Sequence, residues 1–146
     1  MAKEIERKYL VKDDSYRGIA TETITIAQGY LNRDPERTVR IRVWNNQGFI
    51  TVKTRNHGLI RNEWEYEIPL ADAREMLQYC ERPIEKIRYI IPIEAGLKWE
   101  VDEFEGRLEG LVVAEIEVPS EETRFPIPDF IGREVTGDLA YYNSNL

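Results

Sequence analysis

Cysteine and histidine are almost missing: Cys80 and His57 stand alone among 146 residues. A lone thiol closes no internal disulfide. One imidazole leaves zinc sites, haem ligation and Ser-His or Cys-His nucleophilic catalysis without most of their parts. Any metal here would be a hard cation held by carboxylates. Long apolar runs are also lacking; stretches such as Ile24 to Ala27 and Gly110 to Ala114 fall far short of the roughly 20 residues a membrane helix needs, so no membrane span is expected. Basic charge is in deficit, with 20 Lys and Arg against 27 Asp and Glu and a net charge of −7. Without a contiguous basic run, nucleic acid is not an expected partner. The 9 glycines and 7 prolines are scattered, which excludes collagenous and low-complexity segments. Residues Met1 to Lys8 form neither the apolar core of a secretory signal nor an acid-poor transit peptide, so a cytoplasmic location is expected.

What remains is a chain with 42% hydrophobic and 32% charged residues, expected to form a single domain over 1–146. Its dominant pattern is period-two alternation, the mark of strands with two chemically different faces. Eight segments carry it, at 3–11, 24–32, 37–45, 48–55, 61–69, 85–93, 98–105 and 112–119. Short turn-like links such as Asn45-Asn46-Gln47-Gly48 imply antiparallel neighbours. One amphipathic helix is predicted over 71–82, where Ala73, Met76, Leu77 and Cys80 share a face and Pro83 would stop it. Segments 13–19 and 138–145 have room for short helical turns. Cys80 reads as a small buried thiol without chemistry, and His57, in Arg55-Asn56-His57-Gly58, as an exposed turn residue.

Strand parity turns composition into faces, because alternate residues point the same way. Glu4, Glu6 and Lys8 share one face, as do Arg40 and Arg42, Thr51, Lys53 and Arg55, Arg61, Glu63, Glu65 and Glu67, Lys86 and Arg88, Glu100 and Asp102, and Glu115 and Glu117. An antiparallel sheet ordinarily has one wet face, and that reading stays open. Against it, these faces are almost purely ionisable, and like charges are grouped by strand. Eight antiparallel strands can also close into a barrel holding side chains or one small ligand. The fold expected is therefore α+β, mainly β: an eight-stranded antiparallel closed barrel with a charged interior and a few helices outside. Such an interior needs pairing or a ligand. A polyphosphate with divalent cations suits it, since Arg and Lys grip phosphate oxygens and carboxylates hold Mg²⁺ or Mn²⁺. The apolar parity would then face outward, with Trp44, Trp64, Trp99 and the Ile-rich sixth strand partly covered by a second subunit, which admits a homodimer. Trp64, Tyr66 and Tyr89 read as packing residues; Tyr141 and Tyr142 fit either a mouth or a wall.

Glu4-Ile5-Glu6-Arg7-Lys8 resembles the Glu-x-Glu-x-Lys signature of CYTH-domain proteins in the triphosphate tunnel metalloenzyme superfamily. The resemblance continues along the chain through Gln28-Gly29-Tyr30, Val39-Arg40-Ile41-Arg42, Thr51-Val52-Lys53, Arg61-Asn62-Glu63-Trp64-Glu65, Lys86-Ile87-Arg88, Trp99-Glu100-Val101-Asp102, Glu115-Ile116-Glu117, Gly132-Arg133-Glu134 and Tyr142-Asn143. It implies an eight-stranded tunnel that binds a triphosphate and acts on it with divalent metal. By the same resemblance Glu4, Glu6, Glu115 and Glu117 would be metal ligands. Asp102, Glu63 and Glu65 would hold a second metal, its water or the neighbouring cations. Lys8, Arg40, Arg42, Lys53, Lys86 and Arg88 would bind phosphate oxygens, with Arg133 where relatives often carry Lys. Tyr30 with Lys8 resembles a pair that assists attack. The chain lacks the His-Phe pair often found at the first strand of cyclase members, so hydrolysis of inorganic triphosphate is expected. The alternatives are a class IV-type adenylyl cyclase, a thiamine triphosphatase, a non-catalytic polyphosphate or nucleotide-binding module, and an interaction protein with a solvated charged sheet.

Overall fold

Alternating apolar and ionisable residues are realised as strands almost wherever the two-residue period runs. The computed structural model describes residues 5–54 and 62–146. Glu4, Arg55, His57 and Arg61 lie outside them. In chain order the elements are β1 (Ile5–Val11), β2 (Glu22–Asn32), β3 (Arg37–Trp44), β4 (Gln47–Thr54), β5 (Asn62–Ile68), α1 (Leu70–Leu77), β6 (Glu81–Pro92), β7 (Lys98–Phe104), β8 (Val112–Val118) and β9 (Ile131–Glu134). Short 3-10 turns occupy Ser15–Gly18 and Leu139–Tyr141, inside the two segments expected to turn. The protein is thus mainly β with one α-helix among its described residues, as the alternation required. No helix among those residues is long and apolar enough to cross a membrane.

The hydrogen-bonded strand order is β5-β4-β3-β2-β6-β7-β8-β1-β9. Two features differ from the expected eight-strand barrel. A ninth strand, β9, pairs antiparallel with β1; its four residues are too few for alternation to reveal. Among the described residues the order also ends at β5 and β9, with no ladder joining those two strands. Both end strands suit an edge, because β5 presents Glu63, Glu65 and Glu67 and β9 is very short.

The described residues divide into two units, drawn from 1–24 with 87–145 and from 25–86 with Leu146. In the first, Tyr9, Trp99, Val101, Ala114, Ile116 and Val118 face a core closed by Tyr16, Phe130 and Ile131. Trp99 is fully buried, edge-on to Tyr9 at 5.4 Å and to Phe125 at 5.6 Å. Tyr16 sits edge-on to Tyr89 and Phe130. The cover expected from a second subunit is thus supplied at Trp99 by the chain's own segment between β8 and β9.

In the second unit α1 lies on β3 and β4, where Ala73 meets Ile41 and Val43. Close approach is possible because Gly48 lacks a Cβ, which would stand 2.7 Å from that of Ala73. The helix ends at Leu77, earlier than its apolar spacing suggested. Arg82 takes a left-handed φ of 48°, and Pro83 falls within β6, so the chain has already reversed. Cys80 consequently lies past the helix. Its thiol donates to the Met76 carbonyl at 3.4 Å, and burial pushes its pKa up. Trp64 and Tyr66 on β5 are exposed, at 44% and 63%. Trp44 corrects the parity reading: it shares the face of Arg42, whose guanidinium lies 5.7 Å from its ring centroid.

Candidate active site

In the first unit, antiparallel register assembles an acid-rich row. Lys8 on β1 stands opposite Glu115 on β8, and Glu115 opposite Glu100 on β7; one step along, Glu6 stands opposite Glu117. Lys8 is buried, and its Nζ lies 3.2 Å from Glu115 Oε1. As a whole residue Glu6 is exposed. Burial, followed by the charge of Glu115, nevertheless pushes its carboxyl up to about 7, with Lys8 pulling the other way. Carboxylates packed this closely resist sharing one region while both are ionised.

Arg88 on β6 organises the neighbouring acids. Its Nε and one terminal nitrogen donate to the two oxygens of Asp102 at 2.8 and 3.0 Å, and its other terminal nitrogen lies 2.8 Å from Glu100 Oε2. Burial opposes the guanidinium's charge, but the hydrogen bonds and charge of Asp102, then the charges of Glu100 and Glu115, outweigh it and raise its pKa. Asp102 is thus paired with a neighbouring cation. Glu100 received no role from the sequence although its parity with Asp102 was visible; the ion pair to Arg88 shows what it does. Arg133, on edge strand β9, is exposed.

The second unit carries a cation-rich face. Tyr30 on β2, Arg40 on β3, Thr51 on β4 and Glu65 on β5 form one cross-strand row. Arg40 reaches Thr51 Oγ1 at 3.4 Å, and Thr51 Oγ1 donates to Glu65 Oε1 at 3.2 Å. Glu65 is also 4.0 Å from Arg40. The Arg40 Nε is buried with no hydrogen-bond partner among the described residues. Arg42 points its Nε and a terminal nitrogen at the Oε1 of buried Gln28, at 2.9 and 2.6 Å. Lys53 and Glu63 approach to 4.0 Å, and Lys86 is wholly buried. Of this face, Gln28 went unassigned in the sequence and Trp44 was placed on the apolar parity instead. Trp44 follows Arg40 and Arg42 in parity, which was a usable signal; burial of the neutral Gln28 was not.

The donor chemistry of Glu6, Glu115 and Glu117 fits a hard divalent cation, which would relieve the repulsion felt at Glu6. Among the described residues no three acidic, histidine or cysteine side chains form a ligating group, and Glu4, the remaining expected ligand, is outside those residues. Arg40 fits an anionic oxygen, because a buried donor without an acceptor costs about 1–3 kcal/mol.

A mainly antiparallel sheet with such ionisable rows matches the CYTH domain, whose profile aligns with residues 2–142; the chain belongs to the CYTH-domain family. Its relatives are more particular. An inorganic triphosphatase from Acetivibrio thermocellus is 53% identical over 148 residues, spanning 100% of this chain and 94% of that protein. Another, from Nitrosomonas europaea, is 33% identical, spanning 98% and 95%. The crystal structure of the inorganic triphosphatase NE1496 superposes with a TM-score of 0.80 at 31% identity, covering 99% of this chain and 94% of that one. A Hippeastrum protein described as a putative adenylyl cyclase with a dominant triphosphatase activity shares the fold, with a TM-score of 0.57, 16% identity, and coverage of 81% and 80%.

Proposed function

We propose that this protein is a divalent-metal-dependent triphosphatase that hydrolyses inorganic triphosphate to diphosphate and phosphate in the cytoplasm. The observation that carries the reading is 53% identity along the whole chain to an inorganic triphosphatase, with the ionisable rows in register. Glu4, Glu6, Glu115 and Glu117 would hold Mg²⁺ or Mn²⁺. A bound divalent ion would neutralise phosphate oxygens and make the attacked phosphorus more electrophilic.

The chain's own groups account for the rest. Arg40, Arg42, Lys53, Lys8, Lys86, Arg88 and Arg133 bind phosphate oxygens, and the Arg40 Nε, buried without a hydrogen-bond partner among the described residues, gains an acceptor there. Hydrolysis joins the oxygen of water to the terminal phosphorus and breaks its bond to the bridging oxygen, which leaves on diphosphate. Fixed cations stabilise the charge that gathers on both groups, so positioning and electrostatics supply most of the rate. Tyr30 and Lys8 assist the attack. Glu63 and Glu65 hold the cations of their rows, and Asp102 holds Arg88.

Phosphate release from triphosphate, ATP and thiamine triphosphate, each with Mg²⁺ or Mn²⁺, tests the proposal. Triphosphate should be turned over best, and only with metal. Preference for another substrate, cyclic AMP as the product from ATP, or tight metal-independent binding without turnover would each overturn it.

A further inference from the structure

We infer that Tyr142 is a positioning residue for Lys8, its aromatic face fixing the ammonium group where it binds a phosphate oxygen. The inference rests on the proposed triphosphatase reading and adds a residue for which neither parity nor motif provided a role. Among the described residues, Lys8 Nζ meets three groups of different chemistry at short range. Glu115 Oε1 lies at 3.2 Å, the Tyr141 carbonyl oxygen accepts a hydrogen bond at 3.0 Å, and the Tyr142 ring centroid lies at 5.2 Å, inside the range of a cation–π contact.

Only one of these partners is charged. Glu115 is shared, because it is also a proposed metal ligand. The carbonyl and the ring hold the ammonium without cancelling its charge, so Lys8 remains attractive to an anion whatever engages Glu115. The same stretch of chain grips Lys8 at its other end. The Val135 amide donates to the Lys8 carbonyl at 2.8 Å, and the Lys8 amide donates to Thr136 Oγ1 at 2.9 Å.

The grip is braced on both sides of the ring. The Ala140 amide donates to Asp138 Oδ1 at 3.1 Å, the Asn145 amide to the Tyr142 carbonyl at 2.8 Å, and the Asn145 side chain to the Leu139 carbonyl at 2.8 Å. Tyr142 is 39% exposed, too open for the contact to be ordinary core packing. The contact to Lys8 is to the ring, so the phenol hydroxyl is dispensable.

Four proteins test the assignment: wild type, Tyr142→Phe, Tyr142→Leu, and a protein carrying 3,4,5-trifluorophenylalanine in place of Tyr142. The last keeps a phenylalanine-like shape while withdrawing electron density from the ring face. Each is measured for triphosphate affinity by calorimetry, KM and kcat with Mg²⁺, half-activating Mg²⁺ concentration and Tm. Tyr142→Phe should match wild type within about twofold. Tyr142→Leu and the fluorinated protein should lose affinity and raise KM about fivefold, equivalent to about 1 kcal/mol, with kcat, Mg²⁺ requirement and Tm little changed. Equal affinity for the fluorinated and Phe proteins, an equal loss in Tyr142→Phe and Tyr142→Leu, or a parallel shift in Mg²⁺ requirement overturns the inference. If Tyr142→Leu fails to fold, the fluorinated and Phe proteins decide alone. Absent turnover by wild type would instead refute the triphosphatase reading.

Discussion

Replacing Arg88 with Met removes one cation from between two carboxylates and should be among the most damaging single changes in the first unit. Arg88 makes three short contacts, two to Asp102 and one to Glu100, at 2.8 to 3.0 Å. Its side chain is 11% exposed and that of Asp102 4%. Breaking a buried pair by removing one partner costs about 3–5 kcal/mol. Against a typical total stability of about 5–15 kcal/mol, that is a large fraction. The expected loss for Arg88→Met is therefore about 3–5 kcal/mol at pH 7, read from urea unfolding followed by tryptophan fluorescence. Adding Asp102→Asn in the Arg88→Met background should recover about 2 kcal/mol, giving a coupling that a double-mutant cycle isolates. The pH dependence has a definite sign. Protonating Asp102 in the variant neutralises a carboxylate that has lost the Arg88 guanidinium. The deficit of Arg88→Met should shrink on acidification toward pH 4. A loss below about 1 kcal/mol, or no coupling to Asp102, would refute the view that this guanidinium holds the acid row together.

Glu115→Gln should raise the Mg²⁺ concentration for half-maximal activity by at least the roughly 10- to 100-fold that losing a supporting partner costs a metal site; an unchanged Mg²⁺ titration would remove Glu115 from the ligand set. Arg40→Ala, by contrast, should raise KM for triphosphate about tenfold or more at unchanged Mg²⁺ requirement, and a pure kcat effect would contradict phosphate binding by that residue. Glu103 provides a test away from the proposed chemistry. Burial alone would raise its carboxyl, but hydrogen bonds from Arg17 and Tyr16 bring it below its ordinary value. Its contribution is present above the unfolded value of about 4.3 and lost as pH falls through the folded one. Wild type should thus be more stable than Glu103→Gln at pH 7, with the gap in chemical-denaturation midpoint closing below about pH 4; a constant gap would show that ionisation of Glu103 is irrelevant.

Which residues share a face was legible from local sequence. A strand sends successive side chains to opposite sides, so the grouping of Glu6 with Lys8, Arg40 with Arg42 and Glu100 with Asp102 needed only the two-residue period. Trp44 belonged to the same rule, and its mistaken placement came from reading its apolarity ahead of its position. The end of α1 was less legible: Cys80 has helical spacing, but the left-handed turn at Arg82 takes the chain into β6 first. Gly29 shows the packing consequence, since a Cβ there would lie 2.5 Å from that of Cys80, a meeting of β2 with the post-helix turn that no local pattern encodes.

By itself, then, the amino-acid order determined a mainly β protein with ionisable faces and little sulfur or imidazole chemistry. Tertiary structure decided who meets whom. β1 lies between β8 and β9, so Lys8 finds Glu115 from a strand more than 100 residues away and Arg7 pairs with Glu134 at 2.7 Å. It also brought Tyr142 to the Lys8 ammonium and buried Trp99 under Phe125. Alternation is a property of adjacent peptide units and survives in any window of sequence. Strand order and register are chosen by burial and hydrogen bonding summed over the whole chain, so the partners of a charged side chain emerge only when distant segments are placed together.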